Sequence, residues 1–102
     1  MNTNNTSQSI LNRDFQQACL HANFKMMNKL YKQGADIDAK GTYFKERPLY
    51  TGIFLDDIEI VQWLVHRGAD IQKPIFCESP LAMSKRFKCE EIVKYLEQKG
   101  AK

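Results

Sequence analysis

The dipeptide Gly-Ala occurs three times in this chain, each time directly after a stretch with helical periodicity. Its glycines are Gly34, Gly68 and Gly100, so consecutive copies lie 34 and 32 residues apart. The same spacing aligns residues 47–49 (Arg-Pro-Leu) with residues 79–81 (Ser-Pro-Leu). A period in the low thirties that holds at independent positions predicts stacked repeats, each of which is too small to bury its apolar face alone.

The middle repeat shows a helix–turn–helix pattern. Pro48 suits the first turn of a helix, and the apolar run 49–55 supplies a short first helix. Two aspartates, at 56 and 57, end that helix and place cap oxygens at the start of the next one. Apolar residues then follow helical spacing at Ile58, Val61, Leu64 and Val65 and predict one buried stripe. Gly68 ends this second helix because glycine adopts the left-handed conformation without a steric penalty.

Length and composition are those of one small globular domain of 102 residues, of which 43% are hydrophobic and 26% charged. The start of the chain is polar and predicts a disordered tail over residues 1–11. The remainder, 12–102, is predicted to be a single domain. Its three repeats are predicted at about 12–39, 40–73 and 74–102.

Charge and cysteine content restrict the classes of partner. The net charge of +3 falls short of the concentrated positive stripe that binding to nucleic acid normally requires. The chain has neither an apolar run long enough to span a membrane nor the basic and apolar start of a signal peptide. Three cysteines without CxxC spacing favour neither a disulfide framework nor a zinc site. A reducing, cytoplasmic compartment is predicted.

At these positions the chain resembles the ankyrin repeat family, whose pattern runs T-P-L-H-x-A-A-x-x-G-H-L-E-I-V-x-L-L-L-x-x-G-A-D-V-N. The matching residues of the second repeat are Pro48-Leu49, Ile58-Glu59-Ile60-Val61, Leu64 and Gly68-Ala69-Asp70-Ile71. Those of the third are Pro80-Leu81, Glu91-Ile92-Val93, Leu96 and Gly100-Ala101. The resemblance covers about residues 12–102. It implies an all-α solenoid of three helix pairs with β-turn or hairpin loops projecting from one edge.

The sequence departs from the family pattern at its caps and ends. The threonine that caps the first helix is replaced by Arg47 in the second repeat and survives as a hydroxyl only at Ser79. Charged residues stand at core-like positions of the terminal repeats, Lys29 in the first and Glu90 and Glu97 in the last. Polar outer faces of this kind are typical of capping repeats, so we expect a self-contained array that is monomeric when free.

The resemblance also implies a binding surface, since ankyrin repeats usually bind partners on the concave face of their first helices and projecting loops. We call the projecting loops, residues 43–46 and 75–78, the finger loops. Carried over by position, the predicted partner-binding residues are Leu20, His21, Tyr43, Phe44, Lys45, Glu46, Phe54, Leu55, Ile75, Phe76, Glu78, Arg86 and Phe87. This set is unusually apolar and aromatic, which indicates either a binding hot spot or rings that cover a thin core. Phe44 and Phe76 are the rings we expect to be buried.

Other residues that could bind a ligand or react have simpler explanations. Lys85, Arg86 and Lys88 form a basic cluster that could bind an acidic partner or be a solvated face. His21 and His66 have no acidic or cysteine companion at ligand spacing, so no metal site or catalytic group is predicted. Cys77, in a finger loop, could be reactive.

The leading hypothesis is a non-catalytic module that binds a folded protein partner and needs no cofactor. Short proteins of this family resemble inhibitor, immunity, adaptor, scaffold or secreted effector proteins, and an effector would act in a host cytosol. The alternative is a weak electrostatic binder of nucleic acid or acidic surfaces through lysines of the first and third repeats. An enzyme ranks third, because no nucleophile, base and orienting group share a spacing.

Overall fold

The computed structural model of the chain describes residues 3–41 and 46–102, which form six α-helices. The helices are α1 (Thr3–Leu20), α2 (Phe24–Lys32), α3 (Pro48–Phe54), α4 (Ile58–His66), α5 (Pro80–Arg86) and α6 (Glu90–Gln98). The bridge between Ile75 and Glu78 is the one β-type pairing of these residues. The predicted all-α class is confirmed.

The same backbone turn joins the two helices of each pair. Its central residue is left-handed in all three copies, with φ of 52° at Ala22, 51° at Asp56 and 60° at Lys88. The next residue donates its N–H to the carbonyl oxygen five positions earlier, at 2.8–2.9 Å in every copy. These turns are spaced like the Gly-Ala dipeptides, so the backbone geometry repeats with the period of the sequence.

The glycines of the dipeptides end the second helix of each pair. Gly34, Gly68 and Gly100 have φ of 104°, 94° and 88°, and the following alanine donates its N–H to the leucine carbonyl five residues earlier at 2.9–3.1 Å. This is the glycine C-cap predicted from the sequence. The predicted N-caps at Asp57 and Ser79 also form, with side-chain oxygens 3.1 and 3.0 Å from the backbone nitrogens that they cap.

The chain divides into two compact units, Met1–Pro48 and Leu49–Lys102. The boundary falls inside the predicted second repeat, 40–73. A unit boundary at Pro48 coincides with the start of α3.

The first unit packs α1 against α2 around buried apolar side chains. Phe15 and Met27 are fully buried there. Glu46, predicted to be an exposed finger residue, is buried instead, and its carbonyl oxygen accepts a 2.6 Å hydrogen bond from Gln16 Nε2. The side chain of Arg47 is 1% exposed and lies 3.6 Å from Asp38. A buried charge needs such a partner because leaving water is costly for an ion.

The first helix is longer than the sequence indicates. A disordered tail was predicted over residues 1–11, whereas α1 begins at Thr3. Extending an existing helix costs little because each added residue gains a backbone hydrogen bond. Gln8 adds side-chain bonds to Asn12 Oδ1 at 2.8 Å and to the Gly34 carbonyl at 3.2 Å. These bonds tie the polar segment to the end of α2.

The second unit contains α3 to α6, with α6 packed against both α4 and α5. Its fully buried apolar side chains include Val61 and Leu64 of the predicted stripe, whereas Ile58 and Val65 of that stripe are half-buried. The fully buried set comprises Leu49, Ile53, Ile60, Val61, Leu64, Met83, Ile92 and Leu96. A shared core of this kind holds α3, α5 and the loop between α4 and α5 in fixed positions, and these elements form the candidate site.

Candidate functional site

Three aromatic side chains of the second unit form a continuous surface, which we call the aromatic patch: Tyr50, Phe54 and Phe76. The Tyr50 ring meets Phe76 edge to face at 5.1 Å between centroids and lies 5.7 Å from Phe54. Phe54 is 53% exposed and Phe76 55% exposed, and neighbouring Leu55 is 40% exposed. Large apolar side chains that remain this exposed as a group mark interaction surfaces more often than isolated ones do.

A two-residue hairpin turn presents Phe76 to solvent. Ile75 and Glu78 exchange backbone hydrogen bonds of 2.7 and 3.0 Å, and the two residues between them have φ of 51° (Phe76) and 66° (Cys77). Positive φ at both central residues is the pattern of a type I′ turn, which favours asparagine and glycine. The prediction that Phe76 is buried is therefore wrong: the tight turn directs its ring outward, where it covers Tyr50. Ile75, predicted to bind a partner, is fully buried.

An ion pair borders the aromatic patch. Both oxygens of Glu78 accept hydrogen bonds from Arg86, at 3.0–3.1 Å, and this hydrogen bonding is the main reason why the pKa of Arg86 is raised. The Arg86 guanidinium also lies 4.7 Å from the centre of the Phe87 ring. A bidentate pair fixes both side chains in place, so it connects the hairpin loop to the end of α5.

A groove of about 290 Å³ lies between the two inter-helix turns of this unit. We call it the Phe54–Phe87 groove. It is lined by these two rings together with Ile53, Asp56 and Cys89. The Cys89 sulfur is 3.5 Å from the Ile53 carbonyl oxygen. Burial, and next the Asp56 carboxylate, raise the pKa of Cys89 to about 11, so the thiol stays protonated near neutral pH.

The predicted site residues fall into four groups, one of which is the buried pair Glu46 and Ile75 described above. Phe54, Leu55, Phe76, Glu78, Arg86 and Phe87 all belong to the second unit, on α3, α5 and the turns beside them. Leu20, half-buried, and His21, exposed, belong to the first unit, where His21 lines a separate hollow of about 370 Å³. Tyr43, Phe44 and Lys45 lie outside the described residues.

Tyr50 is not among the predicted site residues, although its ring contacts both exposed phenylalanines. The signal that could have found it is the i, i+4 spacing of Tyr50 and Phe54, which places both side chains on one face of α3. The family pattern has histidine at this position, so the substitution was visible but its consequence for the surface was not.

Among residues 3–41 and 46–102, no three histidine, cysteine or acidic side chains are grouped as metal ligands would be. Within the same residues, no helix combines the length and the apolar composition needed to cross a bilayer.

Neither a protein-family model nor a curated protein sequence matches the chain. The ankyrin resemblance thus stays a prediction from the residues quoted above.

Proposed function

We propose that this protein is a non-catalytic, ankyrin-like module that binds a folded protein partner through the aromatic patch and the adjacent groove. The observation that supports this most directly is the exposure of Phe54 and Phe76, each more than half accessible, on either side of the Tyr50 ring. Aromatic residues dominate binding hot spots because they bury much area while losing little side-chain freedom.

The rigidity of the patch favours binding. Phe54 ends a helix whose inner face is fully buried at Leu49 and Ile53, and Phe76 is held by a hydrogen-bonded hairpin. The Arg86–Glu78 pair anchors that hairpin to α5. A surface that is already ordered loses less conformational entropy on association, so more of its contact energy appears as affinity.

Binding to nucleic acid or acidic surfaces through lysines has less support than binding to a protein partner. Of the basic cluster predicted on the third repeat, Arg86 pairs with Glu78 at 3.0 Å and Lys85 lies 3.9 Å from Glu97. Partners of this kind cancel much of the positive field that a polyanion would need. We therefore rank binding to nucleic acid or acidic surfaces second. Three free thiols are compatible with a cytoplasmic site of action.

The test compares binding with stability. The tagged full-length protein is used to capture its partner from lysate of the source cell, and the affinity of the identified partner is then measured. Phe54→Ala and Phe76→Ala should each weaken binding about tenfold or more, about 1.4 kcal/mol, while changing the free energy of unfolding by about 0.5 kcal/mol at most. Truncating an exposed ring removes partner contacts but few internal ones.

Tyr31→Ala serves as the matched control, because Tyr31 is an exposed ring on α2 that is not part of the patch. It should bind like the unmodified protein. Full affinity in stable Phe54→Ala and Phe76→Ala variants would refute the proposed surface.

A further inference from the structure

The Phe54–Phe87 groove joins aromatic walls to an acidic rim. Asp56, which lines it, also lines a neighbouring hollow of about 290 Å³ together with Glu90, Glu91, Lys88 and Ile58. Three carboxylates and one ammonium group thus line the two hollows, which share Asp56. Nearby Arg86 adds no net positive charge because Glu78 holds it in a bidentate pair.

We infer, on the basis of the proposed function, that the Phe54–Phe87 groove receives an arginine or lysine side chain of the protein partner. The methylene stem of such a side chain packs on the two rings, and its cationic head lies at the Asp56 carboxylate. Aromatic faces attract cations because their π-electrons form a negative surface, and guanidinium groups stack on them most readily.

The same chain already shows this type of contact twice. Arg67 lies 3.8 Å from the centre of the Trp63 ring, and Arg86 lies 4.7 Å from that of Phe87. The groove adds the Phe54 ring to Phe87, which Arg86 already contacts, and it has the Asp56 carboxylate beside them.

Charge distinguishes the possible occupants. An anionic side chain would be repelled by Asp56 and by the glutamates at the start of α6. A wholly apolar side chain would cover Asp56 and remove water from its carboxylate without replacing the lost hydrogen bonds, which is costly. A cationic side chain with an apolar stem satisfies both parts of the groove.

The probes are three capped pentapeptides, Gly-Leu-Xaa-Leu-Gly, in which Xaa is arginine, citrulline or norleucine. Citrulline keeps the shape of arginine without its charge, and norleucine keeps only the apolar stem. Binding to the full-length protein is followed by backbone amide NMR shifts at Asp56, Phe87 and Cys89. The arginine peptide should bind about fivefold or more tightly than either of the others.

Asp56→Asn is the matched variant of the protein. It removes the charge, and asparagine tolerates the left-handed backbone found at this position, so the fold should be retained. In this variant the preference for the arginine over the citrulline peptide should shrink at least twofold, and the attraction of the rings and of Glu90 and Glu91 accounts for what remains. A thermal melt confirms that the variant is folded.

Equal binding of arginine and norleucine peptides to the unmodified protein would overturn the inference, as would the absence of saturable shifts with the arginine peptide. Loss of partner capture in Phe54→Ala together with equal peptide affinities would leave the proposed function standing and refute only the cationic occupant. If partner capture survives Phe54→Ala and Phe76→Ala, the proposed function fails independently of the peptides.

Discussion

Compared with alanine at the same position, glycine should stabilise the protein at position 88 and destabilise it at position 85. Lys88 is the left-handed residue of the turn between α5 and α6, with φ of 60°. Lys85 lies inside α5, and both side chains are exposed. The two lysines therefore differ mainly in backbone conformation, which makes them a matched pair.

The size of the effect follows from comparing alanine with glycine at each position. A left-handed non-glycine residue costs about 1–2 kcal/mol, and glycine avoids this cost but loses about 0.5–1 kcal/mol through the greater freedom of the unfolded chain. Lys88→Gly should therefore be about 0.5–1 kcal/mol more stable than Lys88→Ala. In the helix, Lys85→Gly should be about 1 kcal/mol less stable than Lys85→Ala. Using alanine as reference cancels the loss of the Lys85–Glu97 ion pair, which both variants share.

Thermal unfolding followed by circular dichroism measures all four variants. For a chain of this size, 1 kcal/mol corresponds to a shift of about 4–8 °C in Tm. The decisive result is the sign: the glycine variant must melt above the alanine variant at position 88 and below it at position 85. The same sign at both positions would show that residue 88 is not left-handed, and the repeated turn at Ala22, Asp56 and Lys88 would lose its physical basis.

Two further predictions concern buried groups. Gly41→Ala should lower the free energy of unfolding by about 1–3 kcal/mol, because a Cβ there would overlap the amide of buried Gln16 and disturb its hydrogen bonds. The double variant Gly41→Ala with Gln16→Ala should be only slightly less stable than Gln16→Ala alone, since the overlap is then absent. At pH about 8, a thiol reagent should label exposed Cys77 but neither Cys19, whose pKa burial raises to about 12, nor Cys89, whose pKa burial and a nearby carboxylate raise to about 11. Both thiols have folded-state pKa values above the ordinary 9.0, so folding favours their protonated form. Their contribution to the free energy of unfolding is therefore complete below pH 9.0 and is lost as the pH rises towards 11–12. Denaturant titrations at increasing pH should show a smaller loss of stability in Cys19→Ala than in the unmodified protein.

The sequence was sufficient to predict the helices of the second unit, because their boundaries depend on local chemistry. Pro48 begins α3, Asp57 caps α4 and Gly68 ends it, as proposed from residue type alone. Each of these residues acts within one or two turns of its own position. Helical periodicity likewise located Val61 and Leu64 in the core, since burying one stripe requires no knowledge of the partner helix. Ile58 and Val65, at the ends of the predicted stripe, are only half-buried.

Exposure in the loops could not be predicted in the same way. Ile75 and Phe76 are neighbours of similar apolarity, yet one is fully buried and the other 55% exposed. The difference comes from the direction of the hairpin turn, which no periodic pattern encodes. Arg47 is a comparable case: its burial depends on the position of Asp38, which the chain brings close only after folding.

The strained backbone positions of the second unit coincide with the candidate site. Asp56 and Lys88 occupy the two inter-helix turns that flank the Phe54–Phe87 groove, and Phe76 and Cys77 occupy the hairpin tip beside the aromatic patch. Glycine would remove the strain at each of these positions. The chain does use glycine in the left-handed conformation at the end of the second helix of every pair, where the site needs no side chain. The packed helices on either side hold the turns in this conformation and offset its cost. The strained turns direct their side chains outward. The Phe76 ring projects into solvent, and the Asp56 carboxylate lines a groove to which helix α3 contributes only the apolar side chains of Ile53 and Phe54.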